Sequence, residues 1–340
     1  MKSIYKHLID WRDSVSSIPF INYEKDFLLH DIIHEVDALA GVLREFPSQY
    51  IGIYMYSSID IILLYIASVR VGKTPVMFNY LWSEDNINNV VDKYGIDHII
   101  SSWSDKERID CNATIYYFEE LLNSSRGCAI PSDLDNKINF ESILFTSGST
   151  GFPKPVCLTS KNFFNSSKVW NHELKFTNED CYVLCLPIYH ISGLSIIYRA
   201  IYNRFKIQII DSYRDILSTS GTLISLVPSI LNRIIDNKEY LKSLRSFRAI
   251  ILGGEPADKN LLLKCLELKL NIFISYGMTE TCSGISGFWL QEYPNKLESA
   301  GKPFKGVSII EKNGYLSIKS KMNMSGYFLE EPIDSNFISS

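Results

Sequence analysis

The stretch Ile143-Leu144-Phe145-Thr146-Ser147-Gly148-Ser149-Thr150-Gly151-Phe152-Pro153-Lys154-Pro155-Val156 constrains this chain most. Its apolar start, Ile143 to Phe145, reads as a strand that breaks abruptly into hydroxyls and glycines and closes on a lysine. Such a segment is a poor helix and a poor strand. It suits an anion: glycine lets backbone N–H groups turn inward and approach closely, hydroxyls add donors, and Lys154 brings a mobile point charge. A polar surface loop is the ordinary reading of Ser/Thr/Gly/Pro clusters, but the residue order here favours phosphate. It is not a Walker loop, because Lys154 is flanked by prolines and lacks the preceding glycine.

Around this loop the pattern alternates strands and helices. Asp31 to Arg44 carries Ile32, Ile33, Val36, Leu39, Ala40 and Leu43 at helical spacing. A strand at 50–56, a buried helix at 59–71, a strand at 74–78, a helix capped by Ser83 and a strand at 96–101 follow. This order predicts a parallel sheet with right-handed crossovers. From Asn112 to Lys137 the pattern weakens into loop chemistry and reads as a connection between two halves. Beyond the loop come a helix from Thr159 toward Trp170 and strands at 182–187, 222–228, 248–252 and around 274, with a helix through Ile235. Asn313-Gly314 between short strands signals a hairpin in a small β-barrel-like subdomain.

Two other motifs mislead. His30-Asp31-Ile32-Ile33-His34 has the spacing of a zinc-protease helix, but the glutamate is missing and no third ligand is evident. Gly72-Lys73-Thr74 resembles the end of a Walker loop, but Pro75 blocks the helix that must follow, so a helix-to-strand turn is expected.

Three further motifs stand at strand ends: Ile188-Tyr189-His190-Ile191-Ser192-Gly193, Gly253-Gly254-Glu255-Pro256, and Tyr276-Gly277-Met278-Thr279-Glu280. In open α/β sheets ligands collect beyond the carboxyl ends of strands. With the phosphate loop, these motifs closely resemble adenylate-forming enzymes: acyl-CoA synthetases, luciferases and peptide-synthetase adenylation domains. The wording around His190 looks most like o-succinylbenzoate–CoA ligases of menaquinone biosynthesis. The resemblance covers essentially the whole chain. It implies an α/β fold like the large domain of acyl-CoA synthetases, with two parallel-type sheets flanked by helices and the small barrel-like subdomain.

For the site, it implies that Thr146, Ser147, Gly148, Ser149, Thr150, Gly151 and Lys154 bind phosphate. Gly253, Gly254, Glu255 and Pro256 would wall the adenine site, Tyr276 would stack on adenine, and Gly277 and Met278 would complete the nucleotide site. Thr279 would contact the α-phosphate, Glu280 would hold Mg²⁺, and His190, Ser192 and Gly193 would line the acyl pocket. ATP and Mg²⁺ are implied, with coenzyme A as cosubstrate of the complete enzyme. Pro155 replaces the family's usual glycine and would stiffen closure of the loop over ATP.

Composition narrows the class. The net charge of −4 gives no general attraction to nucleic acid or anionic membranes. Hydrophobic residues at 46% and charged residues at 21% argue for a folded globule. Seven scattered cysteines, without a Cys-x-x-Cys pair, fit a reduced cytoplasmic protein. No secretory signal or membrane span is expected.

Family members continue into a Gly-Asp motif, a hinge and a small C-terminal domain carrying a catalytic lysine. Residues 1–340 are therefore expected to form only the large N-terminal domain, with approximate subdomains 1–138, 139–283 and 284–340. Such a chain would bind ATP and a carboxylate but adenylate poorly. Three alternatives stay open: a ligase for another aryl or fatty acid, an enzyme loading a carrier protein, and a non-catalytic nucleotide-binding remnant.

Overall fold

The structure, a computed structural model, describes residues 2–14, 18–126, 139–146, 152–312, 314–330 and 338–339. Among these, two large sheets carry the fold. The first has seven strands in the order Gly326–Tyr327, Lys154–Leu158, Ser142–Thr146, Thr74–Met77, Tyr50–Tyr54, His98–Ser101 and Thr114–Tyr117. The last five run parallel, and the first two add antiparallel. The second has nine: Lys302–Pro303, Ser283–Trp289, Ile272–Met278, Ala249–Leu252, Leu223–Leu226, Cys181–Leu184, Lys206–Ile209, Pro19–Tyr23 and Lys25–Leu28. Its central six strands are parallel, with antiparallel strands at both ends.

Strand alternation explains the layering. Successive side chains point to opposite faces, so Ile251 joins a central core whereas Ile250 and Leu252 join an outer one. Likewise Leu144 faces the central core, and Ile143 and Phe145 face another. The central core includes both sheets and the helices Ile4–Arg12, Leu29–Leu43, Ile59–Arg70, Ser160–Leu174 and Ile191–Asn203. The helix Ile59–Arg70 buries every residue except Asp60, which accounts for its nearly unbroken apolar sequence. Helix Glu84–Tyr94 covers the outer face of the first sheet. Helices Pro228–Ile234, Lys238–Ser246 and Lys259–Glu267 cover that of the second. Two helix-flanked, mainly parallel sheets are thus observed as expected.

Local signals worked where side chains cap helices. Ser83 Oγ accepts the Asn86 N–H, and Thr159 forms a capping box with Asn162. The reading of 112–137 as a loop-rich connection is corrected: Thr114–Tyr117 is an edge strand and Phe118–Ser125 a helix. That helix starts at Tyr117 without a side-chain cap, so its sequence gives no start signal. At the C-terminal end, Ser308–Lys312, Tyr315–Lys319 and Ile338–Ser339 form an antiparallel sheet. Among the described residues it has three strands, too few to close a barrel. The hairpin loop is where Asn313-Gly314 placed it. Gly314 takes φ +81°, and Asn313 lies outside the described residues.

Sheet membership departs from the order of strands along the chain. Ser142–Thr146 and Lys154–Leu158 belong to the first sheet, and Pro19–Leu28 to the second. Sheets recruit strands by register and burial rather than by order along the chain. The two decoys resolve plainly. Exposed His30 and His34 pair with their neighbours Asp31 and Glu35, and no cluster of three metal-ligating side chains occurs among the described residues. Lys73 donates to the Phe46 and Ser48 carbonyls in a helix-to-strand turn. No described helix is long and apolar enough to cross a membrane.

Glu141, fully buried before the strand Ser142–Thr146, accepts the Ile4 N–H at 2.7 Å and so ties the N-terminal helix to the first sheet. Burial pushes its carboxyl from 4.5 up to about 7. Between these values the folded chain keeps a proton that the unfolded chain has released. Stability contributed by the protonated form is therefore complete below pH 4.5 and falls as pH rises toward 7, by about 3 kcal/mol. Glu141→Gln is expected to abolish that decline and to be more stable than the parent at pH 8, with the difference vanishing near pH 4. Urea denaturation across this pH range measures it, and parallel profiles would refute it.

Candidate active site

The carboxyl ends of strands from both sheets converge on one cavity of about 810 Å³. Met77 and Thr146 reach it from the first sheet, and Leu226, Gly253 and Met278 from the second. This is the crevice where open α/β sheets hold ligands.

Most of the expected site residues meet there. Thr146, Lys154, His190, Ser192, Gly253, Gly254, Glu255, Gly277, Met278, Thr279 and Glu280 all line the cavity. Thr146 and Lys154 are paired across adjacent antiparallel strands. Ser147, Gly148, Ser149, Thr150 and Gly151, expected to bind phosphate, lie outside the described residues. Pro155 sits within a strand opposite Phe145, and its carbonyl accepts the Phe328 N–H at 2.9 Å. Thr279 and Glu280 occupy a single 3₁₀ turn after the strand Ile272–Met278. In the Gly-Gly turn, Gly254 adopts φ +84°, and a Cβ on Gly253 would stand 2.6 Å from the Ser275 carbonyl oxygen. Both positions therefore require glycine.

Tyr276 and Pro256 are not among the cavity-lining residues, whereas Ser275 and Gly277 are; the strand pairing shifts register between Tyr276 and Gly277, and Tyr276 packs against the central core. Gly193 lies behind the wall, where a Cβ would stand 2.2 Å from the Pro187 carbonyl oxygen. Its role is to let the helix Ile191–Asn203 start tightly against that strand end. His190 is the N-cap residue of this helix and opens to the cavity. Surrounding protein lowers its pKa below the ordinary value by desolvation, so the imidazole is neutral at pH 7.

One end of the cavity contains a group that the motifs did not reveal. Arg199, buried at 3% exposure, reaches the cavity from the helix Ile191–Asn203. Its guanidinium lies 4.1 Å from the Trp170 ring centroid, and Nη2 donates to Ser283 Oγ at 2.6 Å. Ser283 Oγ also accepts from Trp170 Nε1 at 3.1 Å and Gly284 N at 2.6 Å. Ser283 holds φ +92°, a left-handed conformation costly for a non-glycine residue. Arg199 Nε has no hydrogen-bond partner, and no carboxylate is among the groups acting on the charge. Desolvation, the foremost influence, depresses its pKa. An uncompensated buried cation is expensive, so this end of the cavity is built for an anion. Arg199 has an ordinary amphipathic-helix setting in the sequence, and Trp170 and Ser283 lie far from it along the chain. Only the fold unites them.

Residues 30–328 match the AMP-binding enzyme family. The 2-succinylbenzoate–CoA ligase of Bacillus cytotoxicus is 28% identical over 299 residues, covering 85% of this chain and 61% of the relative. That of Lactococcus lactis subsp. lactis is 29% identical over 334 residues, covering 94% and 72%. The fold is similar to that of o-succinylbenzoate CoA synthetase from Bacillus subtilis in complex with the acyl-adenylate intermediate OSB-AMP. That comparison has TM-score 0.86 and 23% identity, covering 98% of this chain and 74% of that one. The N-terminal domain of FACL13 from Mycobacterium tuberculosis matches with TM-score 0.90 and 17% identity, covering 100% and 96%. This chain spans about three fifths of the length of the first curated relative, 61%. The family match over residues 30–328, together with the strand-end cavity, makes this chain a member of the AMP-binding enzyme family.

Proposed function

We propose that this chain activates a dicarboxylic aryl acid, o-succinylbenzoate, as its acyl-adenylate with release of pyrophosphate. In the complete enzyme, coenzyme A would then displace AMP to give the thioester. The observation that carries this reading is Arg199, a buried cation without a carboxylate partner in the wall of the cavity that also holds the nucleotide motifs. An acid with two carboxylates can offer one to ATP and leave the other for Arg199. A fatty acid or simple benzoate cannot. The names of the relatives at 28–29% identity support the same acid.

In this reading the substrate carboxylate oxygen attacks the α-phosphorus of ATP, an O–P bond forms, and the bond to the bridging oxygen of pyrophosphate breaks. Lys154 offsets charge on the phosphates, and the Thr279 hydroxyl donates to the α-phosphate. The Gly253-Gly254 turn would bring bare backbone to the adenine. No side chain acts as nucleophile, so catalysis rests on positioning and electrostatics. Glu280 fits a Mg²⁺ ligand: its carboxylate faces the cavity, and its described side-chain contact is a tyrosine hydroxyl rather than a cation. Mg²⁺ is usually held by one or two carboxylates plus substrate phosphates, and when bound it would neutralise charge on the triphosphate. We also propose that residues 1–340 form the large domain of such an enzyme.

The test is pyrophosphate release with ATP, Mg²⁺ and a panel of carboxylic acids, trapping the adenylate with hydroxylamine. Release selective for o-succinylbenzoate is expected; equal release with acids lacking a second carboxylate would refute the assignment. Arg199→Gln removes a charged hydrogen bond, and the KM for the acid should rise about 10–100-fold, leaving the KM for ATP nearly unchanged. Lys154→Ala should lower kcat by about 10²–10³, read in the same assay.

A further inference from the structure

The residues Met324–Phe328 are tied both to the strand that begins at Lys154 and to the 3₁₀ turn that carries Glu280. Ser325 N donates to the Cys157 carbonyl at 3.0 Å and Phe328 N to the Pro155 carbonyl at 2.9 Å, fixing the segment beside the strand that begins at Lys154. Met324 N donates to the Glu280 carbonyl at 2.7 Å, joining the same segment to the 3₁₀ turn. Tyr327 lies between these attachments and lines the cavity. Its hydroxyl donates to Glu280 Oε1 at 3.1 Å, and Lys154 Nζ stands 5.5 Å from its ring centroid. A phenol hydroxyl keeps its proton at physiological pH and can donate this bond.

We propose that Tyr327 is a positioning residue for a divalent cation bound at Glu280, its hydroxyl holding Oε1 so that Oε2 is turned to the cation. This rests on the reading of Glu280 as the Mg²⁺ ligand. On a single 3₁₀ turn the carboxylate would otherwise rotate freely about its side-chain torsions, and each freely rotating bond lost on binding weakens the cation's hold. Glu280 Oε2 accepts no hydrogen bond among the described residues. One oxygen fixed by a neutral donor and one left open is the arrangement that suits a cation needing near-ideal octahedral geometry and keeping its waters. Hydrogen bonds that orient a metal ligand typically contribute 10–100-fold to metal affinity. The aromatic ring serves a separable purpose, as a face for the Lys154 ammonium.

That separation gives the experiment. ATP binding to the full chain is measured by calorimetry without any carboxylic acid, so no turnover occurs, over a range of free Mg²⁺ and in EDTA. Tyr327→Phe keeps the ring and removes the hydroxyl. It should raise the half-saturating Mg²⁺ concentration about 10–100-fold and leave ATP affinity in EDTA unchanged. Tyr327→Leu should show the same Mg²⁺ shift and also weaken ATP in EDTA, because the Lys154 face is lost. A merely structural tyrosine would instead change both measurements together in Tyr327→Phe, which would overturn the proposal. Glu280→Gln is the control. If it abolishes the Mg²⁺ dependence and Tyr327→Phe leaves it intact, the positioning role fails while the Glu280 reading stands. If Glu280→Gln itself leaves the dependence intact, the Glu280 reading fails, and the proposal with it.

Discussion

A guanidinium buried without a carboxylate sets the terms for this molecule. Moving a cation out of water costs several kcal/mol even after relaxation. Arg199 meets part of that cost through the Trp170 face and the Ser283 hydroxyl, and leaves Nε without a partner. The helix Ile191–Asn203 must hold it at the cavity, which in turn requires Gly193 to close against Pro187. The strand Ser283–Trp289 must begin in a left-handed residue so that Ser283 Oγ faces the same point.

The two ends of the cavity use different physics. Around Arg199 the polar groups are buried and fixed, so in the proposed reading discrimination would come from whether a ligand completes their hydrogen bonding. At the other end Lys154 and Glu280 each contact Tyr327, one its ring and the other its hydroxyl. In the proposed reading, this would leave both charges available to a triphosphate and its metal. A tyrosine suits that place because its face accepts a cation and its edge donates to an anion.

Much of this was legible in the sequence, and the division is physical. The phosphate-loop strand, the Gly-Gly turn and the Thr279-Glu280 turn are local devices, since a backbone approach or a strand end leaves its mark on consecutive residues. The Ser83 and Thr159 caps were legible for the same reason. The helices Phe118–Ser125 and Ile191–Asn203 begin at Tyr117 and His190 without side-chain caps, and the sequence did not announce them. Arg199, Trp170 and Ser283 were invisible because their meaning lies in mutual distance, not in neighbours along the chain.

The exchange of strands between the two sheets has a consequence for how the molecule is made. The strand Pro19–Tyr23 waits for Lys206–Ile209, and Lys154–Leu158 remains an uncovered edge until Gly326–Tyr327 arrives. During vectorial synthesis the second sheet is incomplete until Lys302–Pro303 has been made and the first until Gly326–Tyr327 has. Pairing across such separations is slow, and an exposed apolar edge invites association with other chains. Through that interval the unpaired edges stay open, so the yield of folded protein depends on what shields them before the late strands arrive.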